Sequence, residues 1–204
     1  MTKFRKQLFK ILVSVFAICA LGLSQVSLAI GPNLILNPSL ETPNLAGTEP
    51  ENWFAAGFGE NDRIFTYPVP GFEGLAGANL SISTFTDGDA KWYFADVPVA
   101  PGTEYYFQDR YISNVSTEIV VRYTNSVGVE TYRVLSAIPS ATDWEIAGVF
   151  FTPPAGTVSA TVFHLLAQVG NLSVDDFSLL VQTPATITDF IPNNSAEETI
   201  VGNV

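Results

Sequence analysis

The closing run Asn171–Leu180, NLSVDDFSLL, carries two adjacent carboxylates, Asp175 and Asp176, inside a short apolar stretch. Side chains alternate along a strand, so Val174, Asp176 and Ser178 are expected on one face and Asp175, Phe177 and Leu179 on the other. One carboxylate then points toward a half-buried surface, where it is costly unless a cation or several donors satisfy it. A strand-end site for a hard cation, built from Asp175 and Asp176, meets that need if a further ligand arrives from elsewhere in the chain. The candidate is Glu41, which ends the opening run Asn33–Glu41, NLILNPSLE. The opposing reading is a carboxylate satisfied by backbone N–H groups alone.

Between these two runs almost nothing reads as helix. Short stretches rich in Val, Ile, Thr, Tyr and Phe recur between Gly, Pro and Asn/Asp breaks, which is an all-β pattern. Strands are expected near 33–36, 53–58, 79–85, 91–98, 104–113, 117–125, 129–136, 145–152, 157–166 and 172–182. Pro101-Gly102 suits a type II turn, and Asn125 to Gly128 a hairpin turn. Pro153-Pro154 ends its strand, because proline cannot donate to the ladder. Residues 42–52 and 59–78 are rich in Gly and Pro and read as surface loops. So many short strands in one domain predict an antiparallel two-sheet β-sandwich of jelly-roll type.

The first 29 residues stand apart. Lys3, Arg5, Lys6 and Lys10 precede an apolar run from Ile11 to Leu23, and Ser27-Leu28-Ala29 supplies the small residues of a cleavage site. The expected division is a signal peptide over 1–29, one β-sandwich over 30–183, and a linker or truncated second module over 184–204. In that tail, Ile191, Asn193, Ser195 and Glu197 echo Ile35, Asn37, Ser39 and Glu41. Export, to the medium or the cell surface, follows from the leader. Of the 9 Lys+Arg residues four leave with it, and none of the 20 Asp+Glu, so the remainder carries five basic residues against twenty acidic, formally −15. That balance argues against nucleic acid and anionic membranes as partners. The single cysteine, Cys19, lies in the leader, which leaves neither disulfides nor thiolate metal sites.

Catalysis finds little support. His164 is the only histidine, it sits in the apolar run Thr161–Leu166, and no serine has the nucleophile-elbow context. Glu118, Glu130 and Glu145 could pair as glycosidase acids, but carboxylates scattered along strands are ordinarily solvated. Binding fares better, since a sugar offers an apolar ring face and a belt of hydroxyls to aromatic platforms and polar forks. Tyr105, Phe107, Asp109 and Tyr111 are expected on one face of their strand, with Tyr106, Gln108, Arg110 and Ile112 on the other. With Tyr132 and Val134 taken as core, Arg110, Arg122 and Arg133 all face outward on three successive strands. The expected ligand-binding set is Tyr106, Gln108, Arg110, Arg122 and Arg133, joined by Trp92 from the aromatic run Trp92-Tyr93-Phe94. Core packing and rim salt bridges are the competing roles for these side chains.

Four motifs in order carry a family resemblance: Asn33–Glu41, the Pro-x-x-Trp of Pro50 and Trp53, Trp144 leading into Phe151-Thr-Pro-Pro154, and VDDFSL at the close. Over residues 33–180 the chain resembles carbohydrate-binding modules of the CenC type, which accompany cellulases. The resemblance implies a galactose-binding-like β-sandwich, non-catalytic binding of a polysaccharide or oligosaccharide on the concave sheet, and calcium as a structural ion. It also places the first and last strands side by side, so that Glu41 and Asp176 meet. It leaves Trp53 and Trp144 structural. Asp109 departs from it, standing where related modules carry an apolar core residue. The alternatives are a cell-surface structural or adhesive module that has lost sugar affinity, and a glycoside-active enzyme or the binding appendage of a glycoside hydrolase or lyase.

Overall fold

The computed structural model describes residues 31–182; the expected signal peptide and the expected linker or second module at 184–204 lie outside the described residues. The chain forms β1 (Trp53–Phe58), β2 (Asn61–Val69), β3 (Gly77–Phe85), β4 (Asp89–Phe94), β5 (Val97–Pro98), β6 (Tyr105–Ser113), β7 (Thr117–Asn125), β8 (Glu130–Ile138), β9 (Ala141–Phe151), β10 (Thr157–Leu166) and β11 (Gly170–Val181). They pair antiparallel into two sheets. The first runs β1-β4-β10-β7-β8, with β5 also on β10, and the second runs β2-β3-β11-β6-β9. The fold is the expected all-β sandwich. Among the described residues no helix is long and apolar enough to cross a membrane.

The core lies between the sheets and is aromatic. Trp53, Phe94, Phe107 and Phe177 are essentially buried, with Trp53 packed 4.5 Å from Phe177 and 5.6 Å from Phe94, centroid to centroid. The indole Nε1 of Trp53 donates to the Leu36 and Asn37 carbonyls, so one ring anchors the opening run as well as the core. Pro38 O accepts from Phe177 N at 2.9 Å and Leu179 O accepts from Leu34 N at 3.0 Å. Residues 33–36 thus follow β11 without forming a named strand, and the first and last segments are neighbours.

β6 keeps its expected alternation without a break, Tyr105, Phe107, Asp109 and Tyr111 inside and Tyr106, Gln108 and Arg110 half-exposed. β11 does not. A register shift between Asp175 and Ser178, with Asp176 at a φ of 48°, inserts a bulge in the middle of VDDF. Val174 therefore shares the core with Phe177 and Leu179, and Asp175 is fully buried while Asp176 is not. A bulge adds a residue to one strand and resets the alternation beyond it.

Two further expectations change. The 59–78 segment contains β2, an edge strand, where Pro68 is tolerated because one side of the ladder is open. β8 is inverted: Tyr132 and Val134 are 58% and 59% exposed, and Arg133 pairs with the core residue Val121. β8 is also an edge strand, so Arg133 stays exposed although it lies on the inner side.

Candidate functional site

The three expected arginines do not form one patch. β6 and β7 follow each other in the chain but belong to different sheets, so Arg110 lies on one side of the sandwich and Arg122 on the other. Arg133 shares neither outer face. Trp92 is 2% exposed, its ring edge-on to Phe65 and its Nε1 donating to Asn79 O across the core. Alternation in β4 puts Tyr93 outside instead, beside Phe54.

The outer face of the first sheet holds a groove of about 580 Å³. Its floor is Val120, Phe163 and Leu165, a small apolar cluster separate from the main core. Register explains the floor, since Phe163 pairs with Val120 and Leu165 with Glu118 and Lys91. Tyr132, Val134 and Phe58 stand around it, Phe58 being 65% exposed, and Tyr132 lies 6.2 Å from Phe163 with nearly parallel rings. Isolated exposed apolar residues need no explanation, but a contiguous set with a buried floor marks a binding surface.

Charge is arranged around this groove in pairs. Lys91 Nζ sits 5.1 Å above the Phe163 ring and 2.6 Å from Asp89 Oδ1. The Arg122 guanidinium lies over Tyr93 and Phe163, pairs with Asp96, and reaches Glu130 at 3.3 Å. Glu130 Oε2 in turn accepts from Tyr132 Oη at 2.7 Å. Glu130 is the most open of these groups, with 42% of its side chain exposed, and it offers a fixed acceptor to a ligand bearing many hydroxyls. Glu118 lines the groove without a partner among the described residues.

A second hollow of similar volume runs from the β8–β9 corner along β9, lined by Ile138 to Asp143, Glu145 to Gly148 and Tyr111. Its one aromatic ring is buried and donates its hydroxyl to Pro139 O, so it offers no platform.

The carboxylates at the strand end are satisfied mainly by backbone. Asp175 Oδ2 accepts from Phe72 N at 2.7 Å and Glu73 N at 3.3 Å, and Oδ1 accepts from Asp176 N at 2.7 Å. Burial raises its pKa above the ordinary carboxylate value, with these three N–H groups pulling the other way. Glu41 Oε1 accepts from Leu75 N and Ala76 N, both at 2.9 Å. The two carboxylates thus clamp one turn, residues 71–76. Gly74, at a φ of 67°, lets that turn approach Glu41 closely, and a side chain on Gly71 would collide with Asp175. Asp175 therefore does not fit a cation. Glu41 Oε2 and the Asp176 carboxylate make no hydrogen bond among the described residues, and no group of three His, Cys, Asp or Glu there is placed to hold a metal.

One polar chain crosses the core. Asp109 Oδ2 on β6 lies 2.7 Å from His164 Nδ1 on β10, and His164 Nε2 lies 2.6 Å from Thr117 Oγ1 on β7. The order of groups is that of a hydrolytic triad, but Asp109, His164 and Thr117 are no more than 2% exposed, so no substrate can reach them. Burial raises the Asp109 pKa, opposed by His164, and its Oδ1 has no partner.

No protein-family model matches the chain, and no curated protein matches it in sequence. Solved structures do. The family 11 carbohydrate-binding module of a Clostridium thermocellum cellulosomal cellulase superposes at a TM-score of 0.53 with 16% identity, over 76% of this chain and 96% of that one. The family 22 xylan-binding domain from Paenibacillus barcinonensis gives 0.51 with 13% identity, over 72% and 93%. The enzymatically active domain of tailspike protein 4 from bacteriophage CBA120 gives 0.57 with 16% identity over 74% of this chain, which spans only 21% of that structure. At such identities the likeness is one of fold: the chain is an antiparallel two-sheet β-sandwich of the architecture seen in carbohydrate-binding modules.

Proposed function

We propose that this chain is an exported, non-catalytic carbohydrate-binding module that takes a glycan chain in the groove on the outer face of the first sheet. The observation that carries the reading is the groove itself: a buried apolar floor at Phe163, exposed rings at Tyr132 and Phe58, the Lys91–Asp89 ion pair and Glu118 in its lining, and the Arg122–Glu130 pair beside it. A pyranose ring stacks on the apolar surface and its hydroxyls meet these polar groups. The fold neighbours described as carbohydrate-binding or xylan-binding modules support the reading, as does the order of motifs shared with the CenC type. Burial of His164 away from every surface weighs against catalysis. The role of appendage to a larger glycan-active protein is favoured by the tailspike match, in which a chain of this size covers a fifth of the structure.

Calcium belongs to the proposal as a stabiliser. Asp175 is taken by N–H groups, so the carboxylates left for an ion are Glu41, through Oε2, and Asp176, with backbone carbonyls completing the hard-oxygen shell calcium prefers. An ion there lies at the end of the second sheet, away from the groove on the first, and would act on the stability of the fold.

A glycan array probed with residues 30–183 tests the binding role, with retention of at least one neutral β-linked polysaccharide expected. Silence across the array leaves a structural surface module. Release of reducing ends by the same sample would replace the binder with an enzyme.

A further inference from the structure

The outer face of the second sheet carries a different set of groups, none of them used by the groove. Arg110 is half-buried, and its guanidinium lies 4.3 Å over the Phe72 ring. Among the described residues it makes neither an ion pair nor a hydrogen bond. Lys91 and Arg122 are paired with carboxylates, and Arg63 is bound to the Phe58 and Asp89 carbonyls and to Asn61. Arg133 also lacks a partner among the described residues, but it is exposed on the edge strand β8, whereas Arg110 is half-buried and seated on a ring. The side chain beneath Arg110 is fixed in turn. Phe72 packs edge-on against Trp144 at 6.1 Å, and its backbone N–H is held by the buried Asp175.

Beside Arg110 on β6 come Gln108 and Tyr106. The Gln108 amide makes no hydrogen bond among the described residues, and its register partner on β11, Ser178, has a buried hydroxyl with no partner. Tyr106 lies across Gly148, where any side chain would collide with its phenol, and Phe150 stands 4.7 Å from it and 56% exposed. From Tyr106 to Arg110 the strand advances about 13 Å, roughly two or three sugar rings.

We propose that this face is a second, independent binding site, selective for an acidic glycan whose uronate carboxylate pairs with Arg110. The guanidinium fork matches a carboxylate in bidentate geometry, and its place on Phe72 leaves it pre-oriented; Asp175, its register partner on β11, is buried and accepts from backbone N–H groups instead of pairing with it. Tyr106 and Phe150 offer the platform for the apolar face of a neighbouring ring. Gln108 supplies the donor and acceptor that hydroxyls need. Asp175 acts through the turn it holds, as a positioning residue for Phe72 and hence for Arg110. The ligand classes separate by charge: the groove has every cation matched to an acid, whereas this face has one cation unmatched.

The test is affinity electrophoresis in gels containing polygalacturonate or a neutral β-glucan, with wild type, Arg110→Gln, Arg110→Lys, Phe150→Ala and Tyr132→Ala. Wild type should be retarded by polygalacturonate, and Arg110→Gln should lose at least tenfold of that affinity while keeping neutral binding. Arg110→Lys should fall between, having charge without the fork. Phe150→Ala should weaken uronate binding alone, and its exposed position guards against loss of folding as the cause. Tyr132→Ala should do the reverse, weakening only neutral binding. Failure of wild type to bind polygalacturonate overturns the proposal, as does unchanged binding in Arg110→Gln, or loss of both ligands in Tyr132→Ala. Uronate binding without any neutral binding would instead overturn the groove reading and leave this site standing.

Discussion

The two outer faces of the sandwich are built from the same kinds of residue and arrive at opposite electrostatic states. On the first sheet, Arg122 and Lys91 lie over aromatic rings and are each neutralised by a carboxylate. On the second, Arg110 lies over Phe72 and is neutralised by nothing among the described residues. A paired guanidinium over a ring is a shaped, nearly neutral wall, suited to hydroxyls. An unpaired one is a site waiting for an anion. The lesson is that ring-and-cation composition alone does not name a ligand; the location of the nearest acid does.

The strongest way to break this comparison is to cut the link between the sheets that present the two faces. Removing one member of a buried pair typically costs about 3–5 kcal/mol, so Asp109→Ala should lower stability by that order in denaturant melts. Asp109→Asn isolates the titration. Burial raises the folded-state pKa of Asp109 above the ordinary 3.8, so the folded chain holds that proton more tightly than the unfolded chain. Stability from this group therefore grows as pH falls through the raised value toward 3.8, and is lost as pH rises through it. The asparagine variant should show a flatter dependence over that window than wild type; parallel curves would mean that Asp109 does not titrate there.

A smaller effect should separate the faces from each other. Asp175→Ala releases Phe72 N, Glu73 N and Asp176 N, and should destabilise by about 3 kcal/mol given the usual 1–3 kcal/mol for a buried group left unpaired. At a temperature where the variant remains folded, neutral glycan retention should persist. Loss of neutral binding in a folded Asp175→Ala protein would show that the turn 71–76 supports the groove too.

The smallest effect expected is that of calcium. An ion bound only by the folded chain raises its melting temperature in proportion to the logarithm of concentration above Kd. Melting in millimolar calcium should exceed melting in chelator, and Glu41→Gln should abolish the difference. Superimposable wild-type curves would remove the ion from the account.

The sequence made β6 legible because its alternation is unbroken, and β7 nearly so, with only Val120 buried on the outward side. It hid β2 behind Pro68 and flanking glycines, residues that an edge strand tolerates and a central strand does not. The bulge in β11 has no periodic signature, so Val174 was assigned to the wrong side. Tyr132 and Val134 looked like core because they are apolar, when they border the groove. Arg110, Arg122 and Arg133 looked contiguous because neighbouring strands in sequence need not be neighbours in a sheet. The groove floor did leave a trace: Val162, Phe163, Leu165 and Leu166 are apolar on both parities of β10, which implies that both faces of that strand are covered. The run Trp92-Tyr93-Phe94 was ambiguous only in isolation, since Lys91 shares the Tyr93 face and marks it as outward.

The central claim is that neutral glycan sits on the first sheet. Backbone amide shifts of isotope-labelled residues 30–183, titrated with a soluble β-linked hexasaccharide, test it most directly. The account predicts that the perturbed amides cluster on β4, β7, β8 and β10, around Lys91, Val120, Tyr132 and Phe163, with β6 and β9 unmoved. Perturbations centred instead on Tyr106, Gln108 and Gly148 would contradict it, because the neutral ligand would then occupy the face with the unpaired arginine.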